Sequence, residues 1–443
     1  MKSAFIALCL LLTSSGMAAA QDGGFFPFKY TTLELENGFR AYLIKAGAPG
    51  QVAYVSVVRT GSREEWEPGR SGFAHFFEHV MFRGTEKYPK FDDIVTRLGA
   101  SSNAFTSLDM TVYHLVAASD SLAQLVDLES DRFKNLSYDE ASFRTEAGAV
   151  LGEFNQGRAN PFSFLTEKVY DTAYDKHTYK HTTIGFERDV RAMPEGFEYS
   201  RTFFERYYRP ENVVLLLVGD FDEAKAEELI RTHYSDWKPG YTAPEIEPEP
   251  QQQGARTGRA IFPGRTLPIL SLTWKGPSWS ASDKMAVAAE VLGQVAFGQN
   301  SEIYRKLVIQ EQTVQAFFAN FLLSRDPDLL SVFAMVGDPA KLDGVRSEVE
   351  STIAQYRDQL CDPEQLEATK SNMRYGYLMG LETAQNIAFS LLGPVVNTGR
   401  LEPINDYYRT LDSITPEDLR EAARAFLIDS GRTEVTLVSE GGN

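Results

Sequence analysis

Apolar residues follow two periodicities along this chain, and both halves of the chain show them in the same order. Short apolar runs with strand-like patterns come first in each half, and a stretch with helical spacing follows, which in the second half covers 281–295. A further apolar run closes each half. The predicted strands are 40–44, 52–58, 213–218, 269–274 and 435–438.

Strands that cluster and then give way to helical stretches predict an α+β fold, with helices against one face of a sheet. A chain of 443 residues is long enough for two domains. Between them, Pro, Glu and Gln dominate a stretch without apolar periodicity, which indicates a solvated, semi-extended linker. We predict a first domain at 21–240, a linker at 241–255 and a second domain at 256–443.

The first twenty residues have the pattern of a secretory signal. Lys2 supplies the positive start, 4–12 form a short apolar run, and Ala18-Ala19-Ala20 provides a cleavage site. The apolar run is too short for a membrane-spanning helix, and no other segment approaches one. We therefore predict a signal peptide at 1–20, cleaved after Ala20, and a periplasmic or secreted protein.

The net charge limits the possible partners of the chain, and the cysteine content limits its possible disulfides. A formal net charge of −17 disfavours nucleic acid, because phosphate binding needs clustered Lys and Arg. Removal of the signal peptide leaves Cys361 as the only cysteine, so no disulfide can form within the mature chain. We expect Cys361 to be a structural residue.

The most distinctive stretch for chemistry is 75–79, which reads His-Phe-Phe-Glu-His inside a segment of helical spacing. Positions i, i+3 and i+4 of a helix share one face, so His75, Glu78 and His79 point the same way. Two imidazoles one turn apart can chelate a zinc ion, and H-x-x-E-H is the inverzincin signature. The chain has only six histidines, so this spacing favours a metal site over a solvated surface helix.

A catalytic zinc site needs a third protein ligand and an open fourth position. Glu146 and Glu153 lie seven residues apart, close to two helical turns, and so share one face of a predicted, partly buried helix. One carboxylate can bind the metal while the other orients a ligating histidine. Taken alone, such a pair is more often a solvated helix face, because glutamate prefers exposure.

Three stretches together resemble the superfamily of pitrilysin, the insulin-degrading enzyme and the mitochondrial processing peptidase. They are Gly72–Thr85 with its H-x-x-E-H run, Asn103–Thr106, and the pair of glutamates at 146 and 153. Further matching positions are Asp109, Thr111, Tyr113, Phe203, Tyr207, Tyr208, Pro210, Asn212, Gly219 and Asp220. The resemblance implies two similar domains, each a mainly antiparallel sheet with helices on one face, of which only the first binds metal.

The resemblance also implies a role for each residue of the site. It makes His75, His79 and Glu153 the ligands of one zinc ion per chain. It makes Glu78 the catalytic base and Glu146 a carboxylate that supports a ligand without binding the metal.

The segment Asn103, Ala104 and Phe105 resembles the edge strand that lines the cleft in this family. A peptide substrate that adds to this edge as an extra strand would be held by main-chain hydrogen bonds. Such binding suits short or unfolded peptides. Without the resemblance, an ordinary turn would be the preferred interpretation of these residues.

One region departs from the family pattern. Single-chain relatives carry an Arg and a Tyr in their second half that reach the scissile carbonyl, and here Val308 and Gln315 stand in their places. Valine cannot donate a hydrogen bond, and the chain is about half as long as those relatives. We therefore expect a homologous subunit that supplies the Arg and the Tyr in a heterodimer, or else a homodimer. Other donors within the chain that stay open are Arg305, Arg374 and Tyr375.

These features predict a zinc-dependent endopeptidase that hydrolyses short or unfolded peptides in a closed chamber, as the catalytic subunit of a heterodimer. Two alternatives are a non-catalytic zinc-binding or scaffold subunit and a hydrolase of a non-peptide amide. His177 and His181 are also four residues apart, but the residues after them indicate a loop or strand. We expect no second metal site there.

Overall fold

Two β-sheets with helices packed against them make up the fold, in a computed structural model that describes residues 24–440. The predicted signal peptide at 1–20 lies outside the described residues. The strands of the first sheet are β1 (Tyr30–Glu34), β2 (Arg40–Lys45), β3 (Gln51–Val58), β4 (Ser101–Thr106), β5 (Thr111–Ala118) and β6 (Val213–Gly219). Those of the second are β7 (Arg256–Phe262), β8 (Ile269–Lys275), β9 (Val314–Asn320), β10 (Leu329–Val336) and β11 (Arg432–Ser439).

Helices fill the stretches between the strands of both halves. Those of the first half are α1 (Phe73–Val80), α2 (Phe91–Arg97), α3 (Leu122–Asn135), α4 (Glu140–Gly157), α5 (Pro161–Ala173), α6 (Glu187–Ala192), α7 (Phe197–Tyr207) and α8 (Glu223–Tyr234). Those of the second are α9 (Lys284–Phe297), α10 (Glu302–Tyr304), α11 (Leu342–Asp358), α12 (Pro363–Met379), α13 (Ala384–Ser390), α14 (Leu392–Thr398), α15 (Pro403–Asp412) and α16 (Pro416–Phe426). No helix within 24–440 combines the length and the apolar composition needed to cross a membrane.

Both sheets are mainly antiparallel, which confirms the predicted fold class. The first has the strand order β1-β2-β6-β3-β5-β4, and only the β2–β6 pair is parallel. The second has the order β7-β11-β8-β10-β9, and only the β7–β11 pair is parallel. In each sheet the strand that comes last in the chain is inserted between two early strands. The strands β4 and β9 therefore lie at corresponding edges of the two sheets.

Each half of the chain contributes one helix that packs on the sheet of the other half. Helices α1, α3, α4, α7 and α8 share a buried core with one face of the first sheet, while α13 from the second half packs on β3 and β6 at its other face. In return, α5 from the first half packs on β7 and β11, opposite α9 and α16. Both sheets are therefore covered on both faces, whereas the sequence predicted helices on one face only. The exchange joins the two halves through buried apolar side chains.

The segment predicted as a linker contains no helix or strand between residues 241 and 255, but it is anchored. The carboxylate of Glu249 accepts hydrogen bonds from the main-chain N–H groups of Asp175, Lys176 and His177 at 2.9–3.1 Å. Lys275 Nζ lies 3.3 Å from the same carboxylate. These partners hold the pKa of Glu249 below its usual value. The sequence predicted a solvated, semi-extended linker, and the contacts of Glu249 were not predicted because composition does not reveal partners distant in sequence.

Cys361 lies in the junction between α11 and α12. The residue is buried, and burial raises the pKa of its thiol to about 11. A thiol with a raised pKa stays protonated at neutral pH and is a poor nucleophile. The environment of Cys361 is therefore that of a structural residue.

A cluster of buried charges also ties the halves together. The guanidinium of Arg325, from the loop between β9 and β10, contacts the fully buried carboxylate of Glu64 at 3.0 Å. It also donates to the main-chain oxygens of Arg59, Asp109 and Val396 at 3.1–3.3 Å. Because buried charges are stable only when paired and hydrogen-bonded, this cluster is expected to fix the relative position of the halves.

Replacing Arg325 with Met is expected to lower the free energy of unfolding by about 3 kcal/mol, because Glu64 then loses a buried partner. Urea denaturation followed by tryptophan fluorescence would measure the change. Arg409→Met is the matched control, because Arg409 is 75% exposed in its ion pair with Asp406 and such pairs contribute roughly 0–1 kcal/mol. Equal effects of the two substitutions would show that the Arg325 cluster does not stabilise the fold.

Candidate active site

Helix α1 presents one buried face and one face that lines a cleft. Its apolar side chains, including Phe76 and Phe77, are fully buried against the first sheet and the neighbouring helices. His75, Glu78 and His79 lie on the other face and are half-buried. The helical spacing inferred from the sequence therefore places these three side chains together.

The N-terminus of α1 is held by a distant carboxylate. The residue before the helix is Gly72, with a φ of 94°, and a Cβ there would lie 2.7 Å from the main-chain oxygen of Ile184. In place of a local side-chain cap, the buried carboxylate of Glu65 accepts the N–H groups of Gly72 and Ala74, each at 2.7 Å. The start of α1 is thus fixed by both glycine backbone geometry and a buried acceptor.

Helix α4 brings two carboxylates to the same cleft. It begins at a cap in which Asp139 accepts the N–H of Ser142 at 2.8 Å, and it packs directly against α1. Glu146 is buried and Glu153 is half-exposed, although the two share one helix face. Their different exposure follows from position, because Glu146 lies deeper between α4 and α1.

The side chains of His75, His79 and Glu153, which could hold a metal ion, converge on one point. The Nε2 atoms of His75 and His79 are 3.4 Å apart, and the Glu153 carboxylate lies 3.3 Å from the first and 3.5 Å from the second. Ligand atoms of all three residues lie within 4.8 Å of one another. Within residues 24–440, no other group of three or more His, Cys, Asp or Glu side chains has such an arrangement.

The chemistry of these three residues fits a zinc ion. Burial and the neighbouring His79 lower the pKa of His75 to about 4, so its imidazole is neutral at neutral pH and has a lone pair to donate. Its Nδ1 is buried without a protein hydrogen-bond partner. Two imidazole nitrogens and one carboxylate oxygen form a typical ligand set of catalytic zinc sites.

Glu146 contacts His79 on the side of the ring that faces away from Glu153. Its carboxylate lies 3.6 Å from His79 Nδ1, on the ring edge opposite the nitrogen that faces Glu153, and it also forms an ion pair with Arg83. The contact with His79 and the Arg83 guanidinium lower the pKa of Glu146, and the same contact raises the pKa of His79. This arrangement can orient His79 and increase the basicity of its ligating nitrogen.

Glu78 is placed beside the three-residue cluster and is fixed by a threonine. Its Oε2 lies 3.9 Å from His75 Nε2 and accepts a 2.7 Å hydrogen bond from Thr106 Oγ1. Burial raises the pKa of Glu78, although the Thr106 contact partly opposes this. A carboxyl with a raised pKa next to a metal site is suited to accept and return a proton near neutral pH.

The segment 103–105 lies on β4, at the free edge of the first sheet. The side chain of Asn103 is exposed and lines the cleft with Glu78 and Glu153, whereas Ala104 is buried. The ring of Phe105 faces the other side of the sheet, 5.8 Å from Phe389 of α13. Phe105 can therefore meet a peptide at the edge through its main chain only.

Two histidines outside the cleft have protein partners. His177 Nε2 lies 2.9 Å from Asp326, and His177 Nδ1 accepts the N–H of Tyr179. His181 is buried, with Nδ1 3.0 Å from the main-chain oxygen of Thr182. The short 3-10 turn between them does not place their rings on one helix face.

The cleft has a volume of about 400 Å³ and contains residues to which the sequence analysis assigned no role. Besides the predicted residues it is lined by Phe82, Arg83 and Asp92. Arg83 and Thr106 lie in the stretches on which the family resemblance rests. Their contacts with Glu146 and Glu78, respectively, could not be predicted from the sequence, because these contacts arise only from the packing of α1, α4 and β4.

Comparison with known proteins agrees with this geometry. A family model described as "Insulinase (Peptidase family M16)" matches residues 43–186, and one described as "Peptidase M16 inactive domain" matches residues 197–373. The chain belongs to peptidase family M16. This confirms the resemblance found in the sequence, and the candidate metal ligands His75, His79 and Glu153 all lie inside the first matched region.

Individual M16 relatives cover nearly the whole chain. Zinc protease PqqE of Helicobacter pylori is 28% identical, over 97% of this chain and 96% of its own length. A mitochondrial-processing peptidase subunit beta of Caenorhabditis elegans is 22% identical, over 96% of this chain and 93% of its own. The crystal structure of a protease from H. pylori superimposes with a TM-score of 0.87 at 26% identity, covering 93% of this chain and 99% of that one.

The region that departs from the M16 pattern lies at the edge of the second sheet. Val308 is half-buried in a π-helical turn, Arg305–Gln310, and Gln315 is exposed near the start of β9. Between them Gln312 has a φ of 51°, a left-handed conformation that is uncommon for residues other than glycine. Of the other donors considered, Arg374 is engaged by Asp412, whereas Tyr375 is 63% exposed.

We predict that Glu153→Ala lowers zinc affinity more than Glu146→Ala does. Loss of a ligand removes a bond to the metal, whereas loss of a residue that orients a ligand typically costs about 10–100-fold in affinity. Chelator competition would measure both, with Glu140→Ala as a control on the exposed start of the same helix. The reverse order would exchange the roles of Glu146 and Glu153.

Proposed function

We propose that this chain is the zinc-binding, catalytic subunit of a metalloendopeptidase that cleaves short or unfolded peptides. The observation that supports this most strongly is the convergence of His75, His79 and Glu153 beside Glu78. Its relatives are named zinc proteases and processing-peptidase subunits, which supports the reaction class.

His75, His79 and Glu153 would hold the zinc ion. When bound, zinc supplies a Lewis acid that lowers the pKa of a coordinated water to about 7 and polarises a carbonyl group. Glu78 accepts a proton from the attacking water and returns it to the leaving amine, so that no covalent intermediate with the protein is needed. Thr106 holds the Glu78 carboxylate in place through its 2.7 Å hydrogen bond.

The free edge of β4 would bind the peptide as an added strand. Its main-chain N–H and C=O groups at 103–105 have no partner strand on the outer side of the described sheet. Main-chain hydrogen bonds at such an edge select extended backbone with little regard for side chains. The edge therefore suits unfolded peptides better than folded proteins.

A second subunit of the same fold would complete the site. Val308 and Gln315 supply no Arg or Tyr at the positions where single-chain relatives carry them. We place the chain in the periplasm or outside the cell, with its signal peptide cleaved after Ala20, as the catalytic half of a heterodimer. A homodimer is the second arrangement, and it would have to function without those two donors.

One specific observation favours a different candidate function. The missing Arg and Tyr, together with the match of the second half to an M16 inactive domain, would also fit a zinc-binding scaffold subunit. Zinc content measured together with hydrolysis of an unstructured peptide, in the presence of the native partner, separates the two. A scaffold subunit would contain zinc, and Glu78→Gln would leave the activity of its complex unchanged.

A further inference from the structure

A large cavity lies on the opposite side of α1 from the metal cluster. It has a volume of about 790 Å³ and lies among the end of α3, helix α7 and the segment after α8. Two aromatic side chains in its wall, Phe204 and Tyr208, contact Phe77 of α1, with ring centroids 5.7 and 5.3 Å apart. Neither the catalytic mechanism nor the peptide-binding edge uses this cavity.

The charges that line the cavity differ in sign from those of the chain as a whole. Although the chain has a net charge of −17, basic side chains outnumber acidic ones in the cavity lining. Asp236 is neutralised by Lys134, whose Nζ lies 2.7 Å from its carboxylate. This leaves Arg201, Arg209 and Lys238 opposed by Glu205 alone.

These three basic groups are available to a ligand. Within the described part of the chain, neither the Arg201 guanidinium nor the Lys238 ammonium has a hydrogen-bond or ion-pair partner. Arg209 uses its Nε to donate to the main-chain oxygen of Glu205, which orients its guanidinium while its two Nη atoms remain unpaired. Arg201 and Glu205 lie four residues apart on one face of α7, and Arg209 follows two residues after that helix ends at Tyr207.

Aromatic rings form the wall behind these charges. Phe197, Phe204 and Tyr138 are half-buried and line the same cavity. Tyr138 is held by a 2.8 Å hydrogen bond between its hydroxyl and Ser200. Guanidinium and ammonium groups recognise oxyanions, and aromatic surfaces bind planar apolar groups, so one ligand that carries both would use the whole lining.

We propose that this cavity is a binding site for a small aromatic oxyanion, such as an aromatic phosphate or carboxylate. Arg201, Arg209 and Lys238 bind the oxyanion, and the ring packs on Phe204 and its neighbours. The site is separate from the metal cluster, and its occupation does not depend on the proposed peptidase function.

The test measures binding of phenyl phosphate to the mature full-length protein by isothermal titration calorimetry at low ionic strength. We expect saturable binding with one site per chain, weaker binding of inorganic phosphate, and no competition by phenol. Added salt should weaken the binding, because exposed charges are screened. A second titration with benzoate in place of phenyl phosphate distinguishes a carboxylate ligand from a phosphate ligand.

Replacing Arg201, Arg209 and Lys238 together with Gln should weaken phenyl phosphate binding at least about tenfold, the effect of losing charge-assisted hydrogen bonds. Lys90, Arg188 and Arg409 replaced with Gln form the matched control, because their side chains are 75–79% exposed outside the cavity and the change in net charge is the same. The single substitution Lys238→Glu, at an exposed position, is a second variant that should also weaken phenyl phosphate binding, because it reverses one of the three charges. Absence of saturable binding, equal weakening in the control, or full competition by phenol would overturn the proposal.

Discussion

Glu78→Gln is expected to abolish most peptide hydrolysis while zinc content stays near one ion per chain. Glu78 lies beside His75 and His79 but is held by Thr106, so it is not needed to bind the metal. Glutamine keeps the size of the side chain and can accept the Thr106 hydrogen bond, but it cannot take a proton from water. Since general acid–base catalysis typically contributes roughly 100- to 10,000-fold, kcat should fall by that factor.

Zinc analysis and a peptide-cleavage assay on the same preparation test this expectation, in the presence of the partner if one is required. Thr106→Val serves as a graded comparison, because it removes only the hydrogen bond that positions the carboxylate. It should reduce kcat less than Glu78→Gln and leave zinc content unchanged. Loss of zinc in Glu78→Gln would make Glu78 a ligand, and retained turnover would rule out its role as the base.

The parts of the candidate site that follow from helical spacing could be predicted from the sequence. His75, Glu78 and His79 are placed by local geometry alone, because a helix fixes positions i, i+3 and i+4 on one face. The choice of Glu153 over Glu146 as a ligand came from the family resemblance, since spacing alone left both open. In the structure Glu153 lies near both His Nε2 atoms and Glu146 lies near His79 Nδ1, and the ligand role of Glu153 stays a prediction.

Contacts between segments that are distant in sequence could not be predicted from the pattern of apolar and polar residues. The bond from Thr106 to Glu78 depends on how β4 lies against α1, and the Arg83–Glu146 pair depends on the packing of α4. Continuous apolar runs such as β6 predicted buried strands correctly. The exchange of α5 and α13 between the halves was missed, because an amphipathic helix does not reveal which sheet it covers.

The purified mature chain is expected to be a weak peptidase or inactive on its own, and to gain activity with a second secreted subunit of the same fold. That subunit would lack H-x-x-E-H but carry the Arg and the Tyr whose places are taken here by Val308 and Gln315. One donor to a developing oxyanion is typically worth about 2.7–4 kcal/mol, or roughly 100- to 1000-fold in kcat. Co-purification of the native protein from its envelope fraction, followed by peptide-cleavage assays with and without the partner, would measure the gain.

Grafting the missing donors tests the same physical argument within the isolated chain. Val308 lies inside the π-helical turn and Gln315 follows the left-handed Gln312, so Val308→Arg with Gln315→Tyr introduces one donor on each side of Gln312. This double variant should raise the activity of the isolated chain above that of the matched control Ile309→Arg with Glu311→Tyr, both of which replace exposed neighbours. Full specific activity of the unmodified chain as a monomer or homodimer would refute the need for a partner. A graft without effect would argue against the oxyanion explanation less decisively, because donor geometry also depends on the facing subunit.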